Sequence, residues 1–140
     1  MRASSTTCAR PGRWSMPEAR CNCGAVRIRV DGGLGPVDAC HCTECRRQSG
    51  HYWSSTDVPR DRVTIEGADA LRWYRASSRA KRGFCGTCGA FLLWQADRHP
   101  EVAIAMGAFD PPTGVHIEKH IYLRERGDYY ALPAAEAQED

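Results

Sequence analysis

The placement of cysteine constrains this chain more than any other feature. Of its eight cysteines, seven fall into three tight groups: Cys21-x-Cys23, Cys40-x-Cys42-x2-Cys45 and Cys85-x2-Cys88. An even count would suit four disulfides. However, side chains at i and i+2 of an extended strand point to one face, so the two sulfurs of such a pair converge on one point. A tetrahedral zinc with sulfurs at about 2.3 Å asks for that convergence. The spacings therefore point to bound zinc rather than to a disulfide framework.

Composition narrows the class. A length of 140 residues suits one domain, expected over residues 17–133. With 42% hydrophobic and 26% charged residues, the chain reads as soluble and globular. The longest apolar run, residues 90–94, is too short to cross a bilayer. A formal charge of +2 speaks against a nucleic-acid or membrane partner. Residues 1–16 carry Arg2, Arg10 and Arg13, no acid and no apolar h-region, so they do not read as a secretory signal. They are expected to be a disordered extension, or the product of a start assigned upstream of Met16. Cys8 lies there, outside every cluster, and is expected to be a free thiol. Clustered cysteines without a secretory signal suit the cytoplasm. The small, acidic residues 134–140 are expected to form a flexible tail.

The hydrophobic pattern predicts a mainly β fold of antiparallel sheets organised around zinc sites. Val26, Ile28 and Val30 alternate with Arg27 and Arg29, which marks a half-buried strand. Further strands are expected at residues 63–66, 71–75, 90–94, 101–106 and 116–123. Residues 37–39 read as a link, 51–61 as an aromatic stretch and loop, and 77–82 as a basic loop. The run from Thr43 to Ser49 lacks Gly and Pro and can form a short helix ended by Gly50.

Chemistry follows from how the sulfurs divide. Cys85-x2-Cys88-Gly89 reads as a zinc knuckle, and Cys21 with Cys23 can complete a closed, structural four-sulfur site with it. Cys40, Cys42 and Cys45 then form a second site with only three protein ligands. Other partitions stay open at this point, because order along the chain does not fix connectivity. A histidine such as His41, His51 or His120 can also close the second site, although His41, between two ligands, is expected to point the opposite way. Zinc with three thiolates has a net charge near −1, which disfavours a metal-hydroxide hydrolase and suits binding of a thiol. Arg46, Arg47, Lys81 and Arg82 flank the clusters, either to offset that charge and grip an anion or as solvated surface cations. His116 and His120 are expected on one strand face. Gln48, Ser49, Ser77 and Ser78 read chiefly as residues that shape local structure.

These motifs together resemble the glutathione-dependent formaldehyde-activating enzyme family, also called the CENP-V domain. The matching residues are Cys21-Asn-Cys23-Gly24-Ala-Val26, Cys40-His-Cys42-Thr-Glu-Cys45-Arg-Arg-Gln-Ser49-Gly50, and Ser77-Ser78 before Arg82-Gly-Phe84-Cys85-Gly-Thr-Cys88-Gly89. Met106-Gly107-Ala-Phe109-Asp110-Pro111, His120-Ile121-Tyr122, Gly127-Asp-Tyr-Tyr130 and Leu132-Pro133 continue the match. The resemblance implies a β-tent fold with two zinc ions per chain. It implies that Cys21, Cys23, Cys85 and Cys88 hold a structural ion, and that Cys40, Cys42 and Cys45 hold a catalytic ion with an open position. The implied activity is that of a carbon–sulfur lyase acting on a small-molecule thiol, such as glutathione, and formaldehyde. The segment between Tyr130 and Leu132 is shorter than usual in the family, and no motif marks a glutathione pocket. The competing function is a non-catalytic zinc module that docks a protein through Trp53, Trp73, Trp94, Tyr129 and Tyr130.

Overall fold

The Val26–Val30 alternation forms the strand that ties the first cysteine pair to the rest of the molecule. The computed structural model describes residues 16–134 and 137–140. Cys8 and the basic extension lie outside the described residues, apart from Met16. A three-stranded antiparallel sheet has the order β1 (Glu18–Arg20), β2 (Arg27–Val30) and β5 (Val63–Glu66). The other strands are β3 (Val37–Cys40), β4 (Trp53–Pro59), β6 (Leu71–Tyr74), β7 (Ala80–Cys85), β8 (Phe91–Ala96), β9 (Glu101–Ala105), β10 (Lys119–Ile121) and β11 (Ala137–Gln138). They build an eight-stranded sheet in the order β11-β10-β3-β4-β9-β8-β7-β6. Helix α1 (Thr43–Ser49) follows β3 and ends at Gly50, whose φ of 88° and N–H bond to the Arg46 carbonyl make the expected left-handed cap. The mainly β, tent-like architecture implied by the resemblance is the one present.

The core lies between the sheets. Ala19, Ile28 and Val30 from the small sheet are buried with Val58, Leu92, Leu93, Val102 and Ile104 from the large one. Each fully buried Ile, Leu or Val contributes about 1.5–3 kcal/mol. On the far face a second cluster joins Cys45, Trp53, Phe91, Ala103 and Ala105. There the Trp53 and Phe91 rings stack with centroids 4.1 Å apart. The central strands are therefore covered on both faces, which explains why Ala103 and Ala105 are as buried as Val102 and Ile104.

Several expectations are corrected by the strand pairing. The link, the loop and part of the basic loop contain β3, β4 and β7. Their polar residues defeated the pattern because Asp38, Ser55, Asp57 and Arg82 line a cavity rather than open solvent. Only residues 119–121 of the expected 116–123 strand are paired. His116 stands outside that strand and is exposed while His120 is fully buried, so the two do not share a strand face. β10 runs parallel to both β3 and β11, which makes this end of the sheet mixed rather than antiparallel. A parallel pair is possible because most of the chain separates β3 from β10. In the tail expected to fray, residues 137–138 pair with β10, and the Glu139 N–H donates to the His120 carbonyl at 2.8 Å.

The turn from β5 to β6 braces the first cysteine loop. Gly67 adopts φ +79°, and a Cβ there would stand 1.9 Å from the Ala25 carbonyl oxygen. Gly67→Ala is expected to destabilise the fold by at least about 1–3 kcal/mol from backbone strain, with the clash added. Gly33→Ala, which meets nothing within 4 Å, is expected to change stability by less than about 0.5 kcal/mol. Denaturant melts of the two variants check this.

Candidate metal centres

Two backbone knuckles bring four cysteines together. Cys21 follows β1, and its N–H and sulfur are both tied to Val26. Gly24, at φ +82°, lets the chain double back after Cys23. Cys85 closes β7, and the Gly89 N–H donates to its carbonyl at 2.8 Å, which folds Cys88 back over it. All four sulfurs lie within 4.8 Å of one another. Two of the separations are 3.6 Å (Cys21 to Cys23) and 3.8 Å (Cys23 to Cys85). Those spacings suit a tetrahedral ion with sulfurs at about 2.3 Å. The N–H groups of Val26, Thr87 and Cys88 point at Sγ atoms from 3.3–3.4 Å. The Cys88 N–H in particular draws the Cys85 thiol down to about 6. Amides aimed at sulfur stabilise thiolate, the form a metal needs.

The other three cysteines form a separate group. Cys40 ends β3, Cys42 caps α1 and Cys45 lies in its first turn, with the Cys45 N–H donating to the Cys42 sulfur at 3.3 Å. Their sulfurs also lie within 4.8 Å of one another. Hydrogen bonds from the Cys40 and Cys45 thiols draw Cys42 down to about 2, while the same contact with Cys42 pushes Cys40 far up. The three thiols thus titrate as one coupled group, and a bound cation displaces the protons they share. Both groups are all-sulfur donor sets with metal-like spacing, and both fit zinc.

Among the described residues, no histidine or carboxylate joins the trio. His41 is fully buried, and both of its ring nitrogens are engaged elsewhere, Nδ1 with the Tyr130 hydroxyl and Nε2 with His120 Nδ1 at 2.8 Å. Burial, with His120 beside it, pushes the His41 imidazolium down to about 4. His51 Nδ1 meets the Tyr129 hydroxyl at 2.8 Å. The three candidate closing ligands are therefore occupied in an aromatic network built on the Tyr129-Tyr130 segment.

The trio opens onto a cavity of about 800 Å³. By register, Cys40 pairs with Trp53 and Asp38 with Ser55, and these residues with Asp57 form one wall. Arg79, Arg82 and Trp94 stand on the other. Of the four cations flanking the clusters in sequence, only Arg82 reaches a sulfur. Its Nη1 is 3.5 Å from Cys45 Sγ, and its Nη2 is 3.1 Å from Glu44 Oε1. Burial works against this guanidinium, but the Cys45 sulfur, Cys42 and Glu44 hold its charge in place. Arg46 donates to the Glu125 carbonyl, Lys81 sits over the Trp73 ring and Arg47 is exposed on the cavity rim. Ser77 accepts from the Arg79 and Ala80 N–H groups and shapes its loop. Ser49 donates to the Cys45 carbonyl, and with Gln48 it lines a second cavity of about 580 Å³ beyond Trp53. Sequence reasoning missed Asp38 and Asp57 on the cavity wall, which carry no local motif, and it did not place Tyr130 against His41.

The sequence model of the glutathione-dependent formaldehyde-activating enzyme family matches residues 16–125. A Halomonas elongata protein bearing that family name is 34% identical over 134 aligned positions, covering 85% of this chain and 82% of its own. A Penicillium rubens protein of the same name is 29% identical over 94 positions, covering 64% of this chain and 49% of its own. The chain thus spans about half the fungal relative. A crystal structure of a Rhodobacter sphaeroides protein superposes with a TM-score of 0.58 at 27% identity, over 71% of this chain and 96% of that one.

Asp57 provides a pH signature for the cavity. Burial, then the nearby Asp38 and Glu101, raise its carboxyl from 3.8 to about 6. A folded-state pKa above the unfolded value means that the folded state holds the extra proton, so this contribution to stability is present below pH 4 and lost as pH rises through 6. Asp57→Asn is expected to stabilise the protein at pH 7–8 by about 1 kcal/mol, after allowance for solvent screening. The variant should flatten the stability change between pH 4 and 6, and melts across that range check it.

Proposed function

Because this chain belongs to the glutathione-dependent formaldehyde-activating enzyme family, we propose that it joins a small-molecule thiol to formaldehyde or a related aldehyde. The product is an S-hydroxymethyl thioether, glutathione is the expected thiol, and the reverse reaction is a carbon–sulfur lyase step. Cys21, Cys23, Cys85 and Cys88 are proposed to hold one zinc that staples the two knuckles. Cys40, Cys42 and Cys45 are proposed to hold a second.

The observation that carries this reading is an asymmetry. Four sulfurs close on themselves, while the other three face a cavity with His41 turned away. Zinc bound to three thiolates supplies a soft site that keeps a thiol deprotonated near neutral pH. The residues do the rest. The His41 contacts to Tyr130 and His120 fix the Cys40–Cys42 stretch from behind. Trp53, Trp94 and Ala103 give the cavity apolar walls near the sulfurs, which limits water around the reacting groups. Arg47 and Arg79 on its lining suit a thiol that carries carboxylates. A cytoplasmic setting, where thiols stay reduced, agrees with the proposal.

The tryptophans give less support to a protein-docking module. Trp53 and Trp94 face the cavity, and Lys81 covers Trp73 at 4.4 Å.

Cys42→Ala is expected to retain one zinc and the fold, and to abolish catalysed exchange between glutathione plus formaldehyde and their adduct. Cys85→Ala is expected to lose stability instead. Metal analysis, thermal melts and exchange rates by NMR check both. Exchange in Cys42→Ala at the unmutated rate would overturn the assignment.

A further inference from the structure

Arg82 is the least ordinary side chain near the trio. It projects from β7 and is 4% exposed, yet it forms part of the cavity wall together with Cys40, Cys42 and Cys45. A buried guanidinium costs several kcal/mol unless it is paired and hydrogen-bonded. Its carboxylate partner Glu44 is half-exposed at 51%, so that ion pair is a partial offset only. The closer match is the negative sulfur group itself, with Nη1 at 3.5 Å from Cys45 Sγ. Guanidinium carries five N–H donors in a rigid fork, and these two contacts use two of them. The Phe91 ring lies under its Cζ, 5.6 Å to the centroid. A small molecule held against the trio from the cavity side therefore comes within reach of a fixed cationic donor.

We infer that Arg82 is a catalytic residue whose guanidinium donates a hydrogen bond to the aldehyde oxygen as the carbon–sulfur bond forms. The inference rests on the thiol–aldehyde reading above and adds the group that meets the developing charge. The thiol first gives its proton to solvent. Its sulfur lone pair then forms the bond to the carbonyl carbon, and the carbon–oxygen π pair moves onto oxygen. The resulting alkoxide takes a proton from water, so thiol plus aldehyde equals product and nothing is oxidised or reduced. Negative charge on oxygen exists only in the second half of that step, so a donor aimed there favours the transition state over the ground state. Arg82 keeps all its protons throughout. The alternative, a cation that only balances thiolate charge, predicts losses in metal or thiol binding instead of in turnover.

The test uses the zinc-loaded full chain carrying Arg82→Met, Arg82→Lys or Arg82→Ala, with glutathione and formaldehyde as probes. Three quantities are read: zinc per chain, the Kd for glutathione without aldehyde, and kcat for adduct exchange by NMR. Expected for Arg82→Met are both zinc ions, a glutathione Kd within about 3-fold of the unmutated protein, and a kcat lower by about 10²–10³-fold. Arg82→Lys is expected to keep both ions and still lose most of kcat, because a point ammonium lacks the fork. Added guanidinium ion is expected to restore part of kcat in Arg82→Ala. A kcat within about 3-fold of the unmutated protein in Arg82→Met sinks the inference and leaves the thiol–aldehyde reading standing. Loss of zinc or of glutathione binding in both the Met and Lys variants, in step with kcat, assigns Arg82 a structural role and also overturns it. No exchange by the unmutated chain removes the reading and the inference together.

Discussion

Sulfur convergence is the constraint on which the rest of the structure depends. Seven thiols stand in two groups, each with its sulfurs within 4.8 Å of one another. Packed that closely they cannot all ionise without a counter-charge, because like charges at a few ångströms in a partly dry site repel strongly. Backbone N–H groups and one guanidinium supply part of that charge. The donor sets suit a cation for the remainder. The four-sulfur group joins the chain after β1 to the end of β7, 62 residues apart in sequence for Cys23 and Cys85. A cross-link over that separation restricts the unfolded chain far more than a local one.

The β scaffold makes the second group different from the first. β3 lies inside the eight-stranded sheet and ends at Cys40, so the trio sits at the end of a strand packed on both sides. Neighbouring β4 presents Trp53, Ser55 and Asp57 toward the same cavity. Meanwhile His41, between Cys40 and Cys42, turns the other way into Tyr130 and His120. Alternation along the strand thus separates the chemistry from its support: sulfurs face the cavity, and the imidazole anchors the backbone behind them. A rigid strand end and a short helix hold the trio more firmly than loops would.

How much of this was legible before the structure depended on how local each signal was. The three cysteine motifs, the helix cap at Gly50 and the Val26–Val30 strand are contained within a few residues, and spacing alone exposed them. β3, β4 and β7 were hidden because cavity-facing Asp38, Ser55, Asp57 and Arg82 break the apolar–polar alternation that marks a strand with one wet face. The parallel β10–β3 pair and the His41–Tyr130 and His41–His120 contacts join residues about eighty or more apart, 89 and 79 in the last two cases, and no short motif encodes them. Arg82 was one of four cations near the clusters; only its place on β7, next to the trio, singled it out.

Seven cysteines divide into a closed four and a three that faces the cavity. Zinc-edge X-ray absorption on the purified protein, combined with metal analysis, tests that division most directly. Two ions per chain are predicted, one with four sulfur neighbours and the other with three, the latter gaining a fourth when glutathione is added. A single ion per chain, or a second ion already bound to a histidine or other fourth protein ligand and indifferent to added thiol, would contradict it.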